Sequence, residues 1–459
     1  MRAFAFLHRW LGIAFCLLFA VWFVSGIVMM YARMPELSRE ERHARLPLLD
    51  LSAARVSPAA AAREVSTQRV RVGMLLGRPV YRVATDRESS TIFADTGERL
   101  STVTAEQALD EARRFDPAAV RTVRYDAWIE QPDQWTLQSR AMLPMHRIAL
   151  GDAGGTFLYV SERTGEIVVK TTATERRVAY AGAVLHWLYF TPFRKHSVAW
   201  AQTIIWLSIA GTLMCVLGLT WGLYVGVRSP YRGWMRWHHY AGLVFGVITC
   251  TWIFSGLLSM DPWDWHPGTS PTRAQRDRLA GGPLRLDRVA LEDLRGALAG
   301  APAAKEIEIV PFEGQPRLLV DGRAAAPVDE RALMAAAREA LPGAAVEDAV
   351  WLDRYDSYYY DRRRSAPLPV LRVRFSDPSR TWLYLDPQRG AIVRKEERLS
   401  RLNRWLYHGL HSLDFAGLYD RRPLWDAVVI VLSVGGIASA VTSTVPAWRR
   451  LRRHARRLL

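Results

Sequence analysis

Residues 185–200 read LHWLYFTPFRKHSVAW and residues 410–425 read LHSLDFAGLYDRRPLW. In each stretch a histidine stands fourteen residues ahead of a tryptophan at the mouth of a hydrophobic run, His186 before Trp200 and His411 before Trp425. A second pair of histidines repeats the arrangement elsewhere in the chain. His8 is followed by Gly12 and then Ser25-Gly26, and His238 by Gly242 and then Ser255-Gly256, at identical offsets. Four histidines in two matched pairs point to paired metal ligation.

Half of the 459 residues are hydrophobic. They gather in runs at 8–33, 197–227, 236–260 and 424–447, each near or above the ~20 residues a helix needs to cross a bilayer. The first run is too long for a removable signal peptide and lacks its small-residue cleavage site, so it reads as a retained helix. The predicted layout is a transmembrane helix within 1–33, an outer segment at 34–196, a helix at 197–227 and a loop at 228–235. A helix at 236–260, a second outer segment at 261–423, a helix at 424–447 and a basic tail at 448–459 complete it. An offset of 230 relates His8 to His238, Gly26 to Gly256 and Met30 to Met260, and an offset of 225 relates His186 to His411 and Gly211 to Gly436. The first helix thus matches the third and the second matches the fourth, as two parallel repeats.

Basic residues orient the bundle, because short cytoplasmic loops accumulate Lys and Arg whereas long segments cross regardless of charge. Arg2 and Arg9, then Arg228, Arg232 and Arg236, then Arg449, Arg450, Arg452, Arg453, Arg456 and Arg457 stand beside the hydrophobic runs with no acidic residue among them. They carry much of the net charge of +16. Both termini are expected in the cytoplasm and the large segments outside, which makes a nucleic-acid role for the tail unnecessary, and no nucleic-acid partner is expected. Cys16, Cys215 and Cys250, the only cysteines, all lie in hydrophobic runs. The outer segments therefore hold no disulfide and no CxxCH attachment site, and any haem must be held by coordination alone.

Within the outer segments, VYRVAT and STIFADTGERL read as strands and TAEQALDEARRF as a helix capped by Thr104. FADTGERL, YVSERTGEIVV and YLDPQRGAIV read as strand, turn and strand, with Gly97, Gly165 and Gly390 supplying the left-handed turn conformation. VDERALMAAAREAL supplies a helix in the second segment. Two small α+β domains are expected, one from each outer segment, with more than one unit per segment.

The set LHRWLGIAFCLLFAVWFVSGIV, DTGERL, RTGEIV with LHWLYF, RWHHYAGLVFGVITCTWIFSGLLSM and RWLYHGLHSLDF resembles the PepSY-associated transmembrane family, the group of iron-regulated membrane proteins and ferric-siderophore reductases. The resemblance implies four helices with two PepSY-like periplasmic domains, b-type haem, electron transfer across a bacterial inner membrane, and TonB-type uptake systems as partners.

For a single histidine at a membrane boundary, hydrogen bonding to headgroups is explanation enough. Two pairs at matched positions favour ligation, since polar groups in or near a bilayer are costly, and neutral imidazole is a good axial ligand for haem iron. Two haems b are expected, one held by His8 and His238 and one by His186 and His411, with His239 and His408 as alternatives. The glycines four residues after His8 and His238 either leave room for the ring or mark close helix packing. The run Tyr355, Asp356, Tyr358, Tyr359, Tyr360 is a candidate platform for substrate, against the plain reading of a strand and a polar turn; His146 and His266 are possible additions to it. Tryptophans number 18, and an interfacial belt accounts for most of them.

No glycine-rich phosphate loop follows a strand, and the cytoplasmic segments are too short for a flavin or nicotinamide domain. HExxH, GxSxG and paired thiols are missing from the sequence as well. Electrons would then come from a membrane quinol or a soluble donor, and the acceptor implied by the resemblance is a periplasmic ferric chelate such as a siderophore. The competing readings are a haem-free PepSY sensor or scaffold that binds a peptide or protease partner, and a siderophore or peptide transporter.

Overall fold

The computed structural model describes residues 2–63, 69–84 and 89–458. Two compact units emerge. One joins residues 1–34, 174–266 and 401–459, and the other joins residues 35–173 and 267–400.

Among the described residues, the first unit is built on four helices long and apolar enough to cross a membrane. In chain order with two helices of the other unit, they are α1 (Arg2–Met29), α3 (Ser197–Val225), α4 (Trp234–Leu258) and α6 (Leu424–Leu458). The intervening α2 is Ala105–Phe115 and α5 is Glu330–Ala340. Helices α1 and α4 each pack against both α3 and α6, so α1 and α4 stand on one diagonal of the bundle. Its interior is filled by Phe15, Phe19, Phe23, Met214, Trp252, Ile253, Trp425 and Val429. Leu17, Leu223, Val244 and Val431 are exposed on its outside. A bundle apolar on both its inner and outer faces is what hydrocarbon surroundings require.

Helix α6 does not stop at 447. It runs on through the arginine-rich end, with Pro446 inside it, because residues 447–458 contain good helix formers and no breaker. The expected separate tail is a continuation of the spanning helix. Residues 174–196 and 401–423, expected in the outer segments, belong instead to the bundle unit.

Among the described residues, the second unit holds fourteen strands in three antiparallel sheets. From the first outer segment come β1 (Arg69–Leu75), β2 (Arg78–Ala84), β3 (Ser89–Phe93), β4 (Arg124–Ile129), β5 (Met145–Ala149), β6 (Phe157–Ser161) and β7 (Ile167–Thr171). From the second come β8 (Ile307–Phe312), β9 (Gln315–Val320), β10 (Arg323–Ala324), β11 (Val346–Leu352), β12 (Val370–Phe375), β13 (Trp382–Asp386) and β14 (Ala391–Glu396). Each segment makes a four-stranded meander, β4 to β7 and β11 to β14. Helix α2 covers the first through Ala108, Ala112 and Phe115 against Ile148, Leu158 and Val160. Helix α5 covers the second through Leu333, Ala336 and Ala337 against Leu371, Val373 and Leu383. Thr104 caps α2 in a reciprocal capping box with Gln107, and Gly97, Gly165 and Gly390 all take positive φ.

The third sheet corrects the expectation of two separate domains. Its order is β10-β9-β8-β1-β2-β3, so both segments contribute three strands. Strands β1 and β8 join them in the register Val70↔Ile309, Arg71↔Glu308 and Val72↔Ile307. The valines and isoleucines of that seam are fully buried, while the alternate positions carry charge on the other face. Each three-stranded piece alone would leave an edge with unpaired backbone groups, and joining them removes both edges. Arg42 with Glu306 and His43 with Asp321, each at 3.0 Å, tie the segments further.

Candidate cofactor-binding site

Helix α1 carries His8 and helix α4 carries His238, and the bundle diagonal brings the two ring centroids to 6.2 Å, with the ring planes 27° apart. His186 and His411 stand at a similar centroid distance, 6.1 Å, with their planes 68° apart. Each of these last two follows a π-helical turn, Tyr180–Val184 and Arg404–Gly409, a local widening that is common at functional positions. Two residues on, Leu188 and Leu413 both adopt a left-handed backbone with φ of 49°, which ends the short helical segment at corresponding places.

Every one of the four imidazoles is held through Nδ1. His8 Nδ1 donates to the Met214 carbonyl on α3 and His238 Nδ1 to the Ser439 carbonyl on α6, both at 2.9 Å. His186 Nδ1 donates to the Trp22 carbonyl at 3.1 Å and lies 3.2 Å from Ser25 Oγ. His411 Nδ1 lies 3.2 Å from the Trp252 carbonyl and 3.0 Å from Ser255 Oγ. A carbonyl accepts only, so the bonding pattern assigns the proton to Nδ1 and makes Nε2 the lone-pair nitrogen. Fixing a ring in this way is how ligating histidines are usually oriented.

The Ser-Gly pairs seen in the sequence now have a cause. Ser25 and Ser255 hold the imidazole, while Gly26 and Gly256 lie beside it, where an added Cβ would make ordinary van der Waals contact at 3.5 Å from His186 Cε1 and 3.6 Å from His411 Cε1. The tryptophans fourteen residues after each histidine also have one. Trp200 Nε1 donates to the Trp187 carbonyl at 3.0 Å and Trp425 Nε1 to the Ser412 carbonyl at 2.9 Å, each gripping the residue next to the histidine.

At the other end, a cavity of about 620 Å³ lies inside the bundle, lined by His8, Gly12, Gly218, His238, Gly242 and Ser439 among others. That volume is within the range of cofactor sites, about 300–1,000 Å³. Nothing stands within 4 Å of a Cβ built on Gly12 or Gly242, so these glycines open onto the cavity and do not serve helix packing. Gly218 was not legible as a site residue. A Cβ there would fall 2.4 Å from His8 Cε1, so this glycine is the seat of the imidazole.

Of the alternatives, His239 also lines this cavity, but its Nε2 bonds the Gly226 carbonyl at 2.9 Å, closing the end of α3. His408 lies against Tyr407, with ring centroids 4.4 Å apart. The tyrosine run is a packed loop and neither a strand nor an open platform. Tyr355 Oη donates to the Ala366 carbonyl and Tyr359 Oη to the Pro367 carbonyl. Asp356 accepts from the backbone of Tyr358 and Tyr359. Tyr359 stacks on Tyr384 and Tyr358 meets Trp382 edge-on, and Tyr360 is half-buried beside them. His146 is buried and bonds the Val103 carbonyl and Tyr125, a structural role, and His266 sits by Asp261 at 3.5 Å.

Two imidazoles bound end-on to one metal atom, with metal–nitrogen bonds of about 2.0–2.1 Å and ring centroids a little over 1 Å behind the nitrogens, have centroids roughly 6.4 Å apart. Both pairs fit that spacing. Among the described residues no three His, Cys, Asp or Glu side chains converge as a metal cluster, so a metal here would need its remaining ligands from a cofactor. Comparison with curated proteins gives no match. The family model of the PepSY-associated TM region matches residues 5–308, a span that takes in His8, His186 and His238 and ends before His411, and the chain belongs to that family of membrane proteins.

Proposed function

We propose that this chain is a di-haem b electron-transfer protein of a bacterial inner membrane, built as two parallel repeats. In this reading His8 with His238 and His186 with His411 are the axial ligands. The observation that carries it is the matched spacing of the two ring pairs, 6.2 and 6.1 Å, with all four Nδ1 atoms tied to carbonyls at corresponding positions. Haem supplies a one-electron ferric/ferrous couple when bound. The protein's part is to present neutral imidazole, to keep the rings from turning, and to exclude water with Phe15, Phe19, Phe23 and Trp252.

Two centres suit the span. His8 and Trp22, whose carbonyl holds His186, are fourteen residues apart on α1, or about 21 Å of helix, so the pairs occupy different depths of the membrane. The arginines near Arg2, Arg228 and Arg449 support cytoplasmic termini and a periplasmic second unit. Electrons would enter from quinol or a cytoplasmic donor and leave to a periplasmic ferric chelate of the siderophore kind. Reduction loosens such a chelate, because oxygen ligands hold the harder ferric ion more tightly.

Pyridine haemochrome analysis of purified protein tests the proposal. Two haems per chain are expected, with one lost in His8→Ala or His238→Ala and the other lost in His186→Ala or His411→Ala. Colourless, folded protein from cells replete in haem would overturn it.

A further inference from the structure

The second unit contains a cavity of its own, about 550 Å³, between the start of β1, the helix Arg273–Ala280 and the β13–β14 turn. Its walls divide by chemistry. Leu279, Leu284, Val310 and Ile392 line it with buried apolar surface. Arg69, Arg273, Arg276 and Arg389 line it with four guanidiniums, against one lining carboxylate, Asp277.

Such a collection of like charge has to be held in place. Arg389 is anchored by a two-pronged bond to Glu308, 2.6 and 3.1 Å. Arg276 donates to the Pro271 carbonyl at 2.7 Å, and Arg273 stands 3.5 Å from Asp277. Arg69 feels the crowding most. Partial desolvation pulls its pKa below the usual arginine range; Glu308 opposes that, while Arg71, Arg389 and Arg39 add to it. A positive, partly apolar cavity of this size favours a small ligand with several anionic oxygens and a short carbon skeleton, since guanidiniums bind carboxylate and phosphate oxygens in pairs.

We infer that this cavity is a binding site for a small oxygen-rich polyanion, a polycarboxylate or a phosphate compound, taken up either free or as the ligand shell of a bound metal ion. The inference does not depend on haem. It places a ligand site in the extramembrane unit on Arg69, Arg273, Arg276 and Arg389, residues that the redox proposal does not use.

Isothermal titration of the full-length oxidised protein in non-ionic detergent tests it, with citrate, inorganic phosphate and ferric citrate as separate probes. Saturable binding that weakens with salt is expected for at least one probe. Arg273→Gln with Arg276→Gln should weaken it about tenfold or more, given the strength of charge-assisted hydrogen bonds. Asp277→Asn removes the opposing carboxylate and should tighten it, which keeps the test valid if the double variant is poorly folded. Binding of citrate or phosphate identifies a free anion as the ligand, and binding of ferric citrate alone identifies a chelate. No saturable binding by any probe, or an affinity unmoved by both sets of substitutions, overturns the inference. Binding is read without electron flow, so its failure is distinct from failure of the haem proposal.

Discussion

Alanine at Gly12 and Gly242 separates an empty space from a packed one. Both glycines are interior helix positions facing the cavity, and no atom comes within 4 Å of the place an added methyl would take. In the protein alone, the double substitution meets no atom, and each alanine favours its helix by about 0.5–1 kcal/mol over glycine. Stability should stay level or rise. Each methyl also stands one turn from His8 or His238, about 6 Å along the same face, where the proposed haem would lie. Crowding a filled site costs about 1–3 kcal/mol, equivalent to about 5–150-fold in affinity. Haem bound between His8 and His238 should therefore be depleted while the His186 and His411 centre keeps its full complement. Haemochrome quantitation together with thermal unfolding by circular dichroism measures both effects. A fall in unfolding temperature with both haems retained would refute the reasoning, because it would mean that protein atoms and not a cofactor occupy the space.

Gly436 makes the opposite case. A Cβ there would lie 2.3 Å from the Phe23 ring, so Gly436→Ala should destabilise the bundle by about 1–3 kcal/mol, and a second change of Phe23→Leu should restore most of it; denaturation in detergent reports both. Trp425→Phe deletes the bond to the Ser412 carbonyl, at a cost of about 0.5–1.5 kcal/mol, and redox titration should show a shifted midpoint at the His186 and His411 centre alone. In the second unit, burial pushes the Glu166 carboxyl up, but Arg82, Arg71 and Arg42 overcome this and hold it below the usual glutamate range. A depressed folded pKa gives stability that is fully present above the unfolded value of 4.5 and is lost as pH falls through the folded one. Urea midpoints should drop at acid pH, and Glu166→Gln should flatten that dependence while lowering stability at neutral pH, since Arg71 and Arg82 lose their partner.

The spanning helices were legible because twenty apolar residues in a row admit few other readings, and the four histidines because their offsets match to the residue. Helix α2 announced itself through its apolar periodicity and Thr104 as a local cap. What stayed hidden was non-local. The seam Val70↔Ile309 joins residues far apart in sequence, and nothing in either strand says which edge it will meet. The run from Tyr355 to Tyr360 misled for a related reason. Hydroxyls and carboxylates look available in a sequence, yet the carbonyls of Ala366 and Pro367 that occupy two of the hydroxyls carry no residue-type signal. The same holds for Met214 and Ser439, which act on His8 and His238 through backbone oxygen alone.

Those backbone acceptors show how the two halves of the chain divide the work. His8 is held by Met214 and His186 by Trp22, all before residue 230; His238 is held by Ser439 and His411 by Trp252, all after it. Each half thus orients its own two imidazoles, one per site, without help from the other. Among these histidine contacts, the ring-to-ring pairings are the ones that cross between halves. On the haem proposal, a metal centre held by one histidine from each half would bond both halves at once, and its binding energy would add to their association.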